Sequence, residues 1–147
     1  MPFVTLPTGP GGPIITAVIG ASHPRELQLR LAQVPIPQPV KVRALIDTGA
    51  SCTLVAQDVV KQLGWPVRGT TPLHPPSTGG FAQTAFVYDV SFVIELSEEQ
   101  TRRYAALPIM AHNSVIQPGV EALIGRDILQ HALFTYNGAA KLFLLGF

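Results

Sequence analysis

From Phe86 to Leu96 apolar side chains occupy every second position. Phe86, Tyr88, Val90, Phe92, Ile94 and Leu96 alternate with intervening residues that include Asp89, Ser91 and Glu95. A period of two puts one side-chain set on one face of an extended strand. A strand this long needs partners, so the rest of the chain must supply a sheet. Ile14 to Ile19 is rich in β-branched residues, and Val40, Val42, Ala44 and Ile46 share a face. Leu27, Leu29 and Leu31 alternate with Gln28 and Arg30 and read as a further strand. Cys52 to Val55 and Leu107 to Ala111 are short apolar runs. Leu133–Tyr136 and Lys141–Leu145 flank Asn137-Gly138, a strong hairpin signal. Helices are few. Ala56 to Leu63 carries an apolar face of Val59, Val60 and Leu63 and ends at Gly64, with Trp65 packing its end. Ser97-Glu98-Glu99-Gln100 fits a capping box, with Arg102-Arg103 behind it, and predicts a helix over Ser97–Tyr104. A third short helix follows Gly125.

Prolines number 14 in 147 residues, about twice the usual share. They make residues 1–13 loop-like and 35–39 a stiff connector, and with glycines they enrich residues 66–80. The expectation is one mostly β domain over residues 1–147, with two or three short helices and a loop-like segment 1–13. Net charge is +1 with no basic stripe, which argues against nucleic-acid binding. One cysteine, Cys52, excludes an intrachain disulfide and a cysteine zinc site; it reads as a small buried hydrophobe, with a redox thiol as the lesser alternative. The four histidines lie far apart, so no metal site is expected. No apolar run approaches the ~18 residues of a membrane span. A soluble cytoplasmic protein is expected, and no cofactor. Charged residues are 13% of the chain, about half the usual share, a hint that some surface is an interface.

Chemistry points to one turn. The apolar strand Ala44-Leu45-Ile46 runs into Asp47-Thr48-Gly49-Ala50-Ser51. Asp47 is a carboxylate at the end of a buried strand, Thr48 and Ser51 offer hydroxyls, and Gly49 permits close backbone approach. The triplet alone is also an ordinary strand end, with the Asp capping its own turn. Further on, a second apolar strand meets glycine in Leu123-Ile124-Gly125-Arg126.

With a glycine-rich segment between them, these two motifs resemble the retropepsin-like (retroviral-type) aspartic protease family, in its single-domain cellular or bacterial form. The resemblance spans roughly Ile14 to Leu145. It implies a closed β-barrel-like acid protease domain with one catalytic residue, Asp47. Asp58, Asp89 and Asp127 lack a following Thr/Ser-Gly, so a two-Asp site implies a homodimer. In the family's motif Thr48 bonds across the dimer, Gly49 contacts substrate through its backbone, and Ala50 packs beneath the site. Leu123, Ile124, Gly125 and Arg126 support it. The expected function is an aspartic endopeptidase that cleaves a peptide or protein substrate with a water activated by the Asp dyad. The rival is a non-catalytic dimerisation or peptide-binding module that keeps the fold.

A flap is expected at Ser77, Thr78, Gly79, Gly80 and Phe81, although Pro72, Pro75 and Pro76 stiffen one arm. Ser51 stands where the viral enzymes carry an acid paired to the arginine, so Arg126 must bond elsewhere, to Asp127 or to a backbone carbonyl. The apolar end, Leu142 to Phe147, fits either a dimer-interface strand or a strand paired within its own domain.

Overall fold

The computed structural model describes residues 1–74, 79, 81–113 and 116–147. Among the described residues, ten strands and three helices follow in the order β1 Phe3–Pro7, β2 Ile14–Ala21, α1 His23–Leu31, β3 Val40–Ile46, β4 Leu54–Ala56, α2 Gln57–Leu63, β5 Gly69–Leu73, β6 Gln83–Glu95, β7 Thr101–His112, β8 Ala122–Ile124, α3 Arg126–Leu129, β9 Leu133–Asn137 and β10 Leu142–Gly146.

The larger sheet runs β2-β3-β8-β4-β7-β6-β5 and curls until β2 also pairs with β6. That pairing closes a six-stranded barrel. The protein is therefore mostly β, as the alternation requires. In β6, Tyr88, Val90, Phe92 and Ile94 point into the core, and a register irregularity sits between Val90 and Phe92. Such a bulge bends a strand and lets a sheet close. The inner faces of β2 and β3 add Ile15, Ala17, Ile19, Val42, Ala44 and Ile46. Helix α2 lays Val59, Val60 and Leu63 on this core and stops at Gly64, whose φ of 61° is left-handed. Trp65 is buried beside it.

A smaller sheet, β1-β10-β9, lies against the barrel. Phe143 and Leu145 of β10 are 1% and 0% exposed. Both edges of β10 are taken by strands of its own chain. The turn after Asn137 is longer than a two-residue hairpin. Leu142 pairs with Asn137, Asn137 Oδ1 accepts Ala140 N–H at 2.9 Å, and Lys141 takes a positive φ of 52°.

Three local expectations are corrected. The strand expected at Leu27–Leu31 is part of helix α1. Ser22 caps it by accepting Arg25 N–H, Pro24 opens it and Glu26 sits in its first turn. Leu29 is buried, whereas Leu27 and Leu31 are 49% and 87% exposed. Three leucines were too few to separate a period of two from a helix, and the start signals decide. The helix expected at Ser97–Tyr104 is a turn followed by β7. Ser97 Oγ does accept Gln100 N–H at 3.1 Å, but Thr101 to Tyr104 pairs with Glu95 to Phe92. The cap signal was real; a waiting strand edge overrode the propensity behind it. The loop expected over residues 1–13 is a strand at Phe3–Pro7, held along β10.

Candidate active site

β3 and β8 run parallel, pairing Leu45 with Leu123 and Ile46 with Ile124. β8 also pairs antiparallel with β4, setting Leu54 against Leu123. The chain thus leaves β3, turns through Asp47–Thr53 and returns as β4 with β8 inserted between the two. This insertion brings the two sequence motifs together. Asp47 N–H donates to Ile124 O at 3.0 Å, and Arg126 N–H donates to Ala50 O at 2.9 Å.

Within the turn, Gly49 N–H donates to Asp47 Oδ1 at 2.9 Å and Ala50 N–H donates to Asp47 O at 3.2 Å. The first bond aims the carboxylate. Asp47 and Ala50 are half-buried, while Thr48, Gly49 and Ser51 are exposed. Arg126 reaches the turn from the start of α3. Its Nη1 donates to Thr48 O at 2.8 Å and to Gly49 O at 3.1 Å. The brace falls on backbone carbonyls and not on an acid. Ile124 and Gly125 are buried and Leu123 is half-buried. Gly125 has an extended backbone, so its conformation does not demand glycine. Space does: a Cβ there would collide with the Cys52 carbonyl group.

Two residues that sequence reasoning passed over hold the turn from below. Asp127 accepts Thr53 N–H through Oδ2 and Thr53 O–H through Oδ1, both at 2.8 Å, and Ile128 N–H at 2.9 Å. Thr53 Oγ1 in turn accepts Gly125 N–H at 3.3 Å. Thr53 is fully buried, which only a satisfied hydroxyl tolerates at low cost. The available signal was a threonine inside the apolar run Cys52–Val55. Ser51 donates its hydroxyl to the Cys52 sulfur at 3.8 Å. Burial pushes the Cys52 thiol up; the Ser51 hydrogen bond pulls it back, and the charge of Asp127 adds to the rise.

The other aspartates are occupied elsewhere. Asp89 pairs with Arg68 at 3.0 Å, Asp127 holds Thr53, and Asp58 is exposed in the first turn of α2. Among the described residues no group of three His, Cys, Asp or Glu side chains could hold a metal ion, and no helix is long and apolar enough to cross a membrane. Of the expected flap, Ser77, Thr78 and Gly80 lie outside the described residues. Gly79 has a φ of 63°, and Phe81 is 79% exposed. The flanking strands β5 and β6 pair antiparallel as far as Leu73 and Gln83. Pro72 fits there because β5 is the edge strand of its sheet.

A closed barrel with an inserted strand beneath an Asp-Thr-Gly turn defines an acid-protease class of fold. The solved structure of a retropepsin-like aspartic protease from Rickettsia conorii superposes with a TM-score of 0.60, covering 99% of this chain and 90% of that one at 13% identity. The fold is therefore retropepsin-like. The EIAV protease complexed with the inhibitor HBY-793 is a more distant match, with a TM-score of 0.40, 16% identity, and coverage of 62% and 76%. No curated protein matches the sequence significantly. A family model described as aspartyl protease matches residues 32–128, about two thirds of the chain. The chain belongs to the aspartyl protease family.

Proposed function

We propose that this protein is an aspartic endopeptidase that works as a homodimer, each protomer giving its Asp47 to one site on the two-fold axis. The carrying observation is the Asp47 turn: a carboxylate aimed by Gly49 N–H, on an exposed loop braced by Arg126, with no second aspartate of the chain beside it. A half-site of this kind asks for a copy of itself. Residues 1–147 are taken as one domain, because the buried core draws on strands from β2 to β10.

Two carboxylates brought within a few ångströms share one proton, since both cannot ionise cheaply. The ionised Asp47 takes a proton from a water as that water attacks the scissile carbonyl carbon. The protonated Asp47 gives its proton to the carbonyl oxygen. In the second step a proton passes to the amide nitrogen, the C–N bond breaks, and the dyad returns to one shared proton. No metal, cofactor or covalent intermediate enters these steps. Thr48 would hold the two turns together across the axis, and Gly49 would contact substrate through its backbone. The peptide would lie extended beneath the segment 77–81, with apolar side chains preferred. The thin charge of the chain, +1 overall, fits a cytoplasmic protein with neither nucleic-acid nor membrane partners.

The test compares wild type with Asp47→Asn on a peptide library. Asn is nearly isosteric but cannot take the proton, so cleavage should fall by about 10³-fold or more. Equal cleavage by both would overturn the Asp47 mechanism, and cleavage by neither would overturn the enzyme reading in favour of a non-catalytic dimerisation or peptide-binding module.

A further inference from the structure

One residue takes three successive carbonyls of the active-site turn. Arg126 Nη1 donates to Thr48 O at 2.8 Å and to Gly49 O at 3.1 Å, and Arg126 N–H donates to Ala50 O at 2.9 Å. Among the described residues Arg126 forms no ion pair, so its charge falls on these backbone acceptors. Each carbonyl shares one planar unit with the N–H of the next residue, and in the trans form the two point in opposite directions. The far end of the Thr48–Gly49 unit is Gly49 N–H, which donates to Asp47 Oδ1 at 2.9 Å. The far end of the Gly49–Ala50 unit is Ala50 N–H, which donates to Asp47 O at 3.2 Å. Both units held by the Arg126 side chain therefore end on Asp47, one on its carboxylate and one on its backbone. A Cβ at Gly49 would stand 3.1 Å from the same Oδ1, so the carboxylate lies close over the first unit.

A cation on the oxygen end of an amide polarises it and makes its N–H a better donor, so bonds in such a chain strengthen one another. The guanidinium also stops the plane from swinging. Thr48 and Gly49 are exposed. Without Nη1 their carbonyls would turn to water, and the plane that aims the carboxylate would turn with them.

We propose that Arg126 is a positioning residue for Asp47: its side chain fixes the two peptide units whose N–H groups hold Asp47, and so sets the direction of the carboxylate. The effect on the reaction rests on the reading of Asp47 as the catalytic carboxylate. A displacement of about 1 Å in such a group costs about 10²-fold in rate. The loss belongs to kcat, because the carboxylate acts on the bond being broken.

Arg126→Met keeps much of the side-chain length and removes its donors. Arg126→Lys returns one charged nitrogen, which is all that Nη1 supplies. Both keep the backbone bond from residue 126 to Ala50 O. In isotope-labelled protein read by NMR, Arg126→Met should speed hydrogen exchange of the Gly49 amide about tenfold, and Arg126→Lys should hold it near wild type. On the peptide library, Arg126→Met should lose about 10²-fold in kcat with KM within about threefold of wild type, and Arg126→Lys should recover about tenfold of that loss. The rates are read where activity per chain no longer rises with concentration, so that a weakened dimer does not imitate the effect. Urea unfolding shows that the variants fold; should Arg126→Met fail, the shorter neutral Arg126→Gln serves the same comparison. A folded neutral variant with an unchanged Gly49 amide would overturn the proposal. So would wild-type kcat in that variant, or a loss confined to KM. Absence of cleavage by wild type would instead sink the endopeptidase reading, and the Gly49 amide would then still uphold or overturn the hold of Arg126 on Asp47.

Discussion

Thr53 stands at the centre of a relay that carries the shape of the active-site turn. Its hydroxyl donates a hydrogen bond to Asp127 and accepts one from Gly125 N–H, so one small side chain ties the turn before β4 to the start of α3. Thr53→Val keeps the volume and removes the hydroxyl, leaving Gly125 N–H buried without an acceptor. The expected cost is about 2 kcal/mol in urea unfolding, and Thr53→Ser should retain most of it. Cys52 gives a pH dependence. Burial raises its folded-state value, so protonated thiol is favoured in the folded chain. That contribution is complete below the unfolded thiol value, about 8.5, and is lost as pH rises through the raised folded value. Wild type should therefore lose stability relative to Cys52→Ala as pH rises above about 8.5, read as a shrinking difference in urea midpoints.

Among the elements, β1 matters most for what a sequence reading leaves out. It covers one edge of β10, and Val4 and Leu6 pack on the core that Phe143 and Leu145 anchor. Deleting residues 1–8 should cost about 2–4 kcal/mol and speed hydrogen exchange along β10. A mere surface loop would leave both unchanged. β1 was missed because Pro2, Pro7, Pro10 and Pro13 surround it, and proline marks loops wherever pairing is unknown. At a sheet edge, as in β5, the same residue is tolerated. The cap at Ser97 went the other way. Its hydrogen bond to Gln100 N–H is the one a helix start makes, yet here it closes the turn between β6 and β7.

At the scale of the molecule the proposed activity depends on association. Equimolar wild type and Asp47→Asn, allowed to exchange, should retain about a quarter of the activity of the same total of wild type, because only one dimer in about four carries two intact Asp47 residues. Chains that act alone would retain about half. In the proposed dimer the copies would not pair along β10, since β1 and β9 occupy both of its edges. A shared surface would use the outer faces or the free edges of β1 and β9, and the exposed turn at Thr48 and Gly49.

What the sequence by itself determined is what a short span can carry. The period of two in β6, the apolar strand running into Asp47-Thr48-Gly49, and the apolar strand running into Gly125-Arg126 are all local patterns, and each sits where its pattern required. Only the tertiary structure decided what those patterns meet. The insertion of β8 between β3 and β4 lets Arg126 reach the Thr48 and Gly49 carbonyls and lets Asp127 hold Thr53, across 78 and 74 positions of sequence. No spacing encodes such contacts, because they arise from how strands share edges.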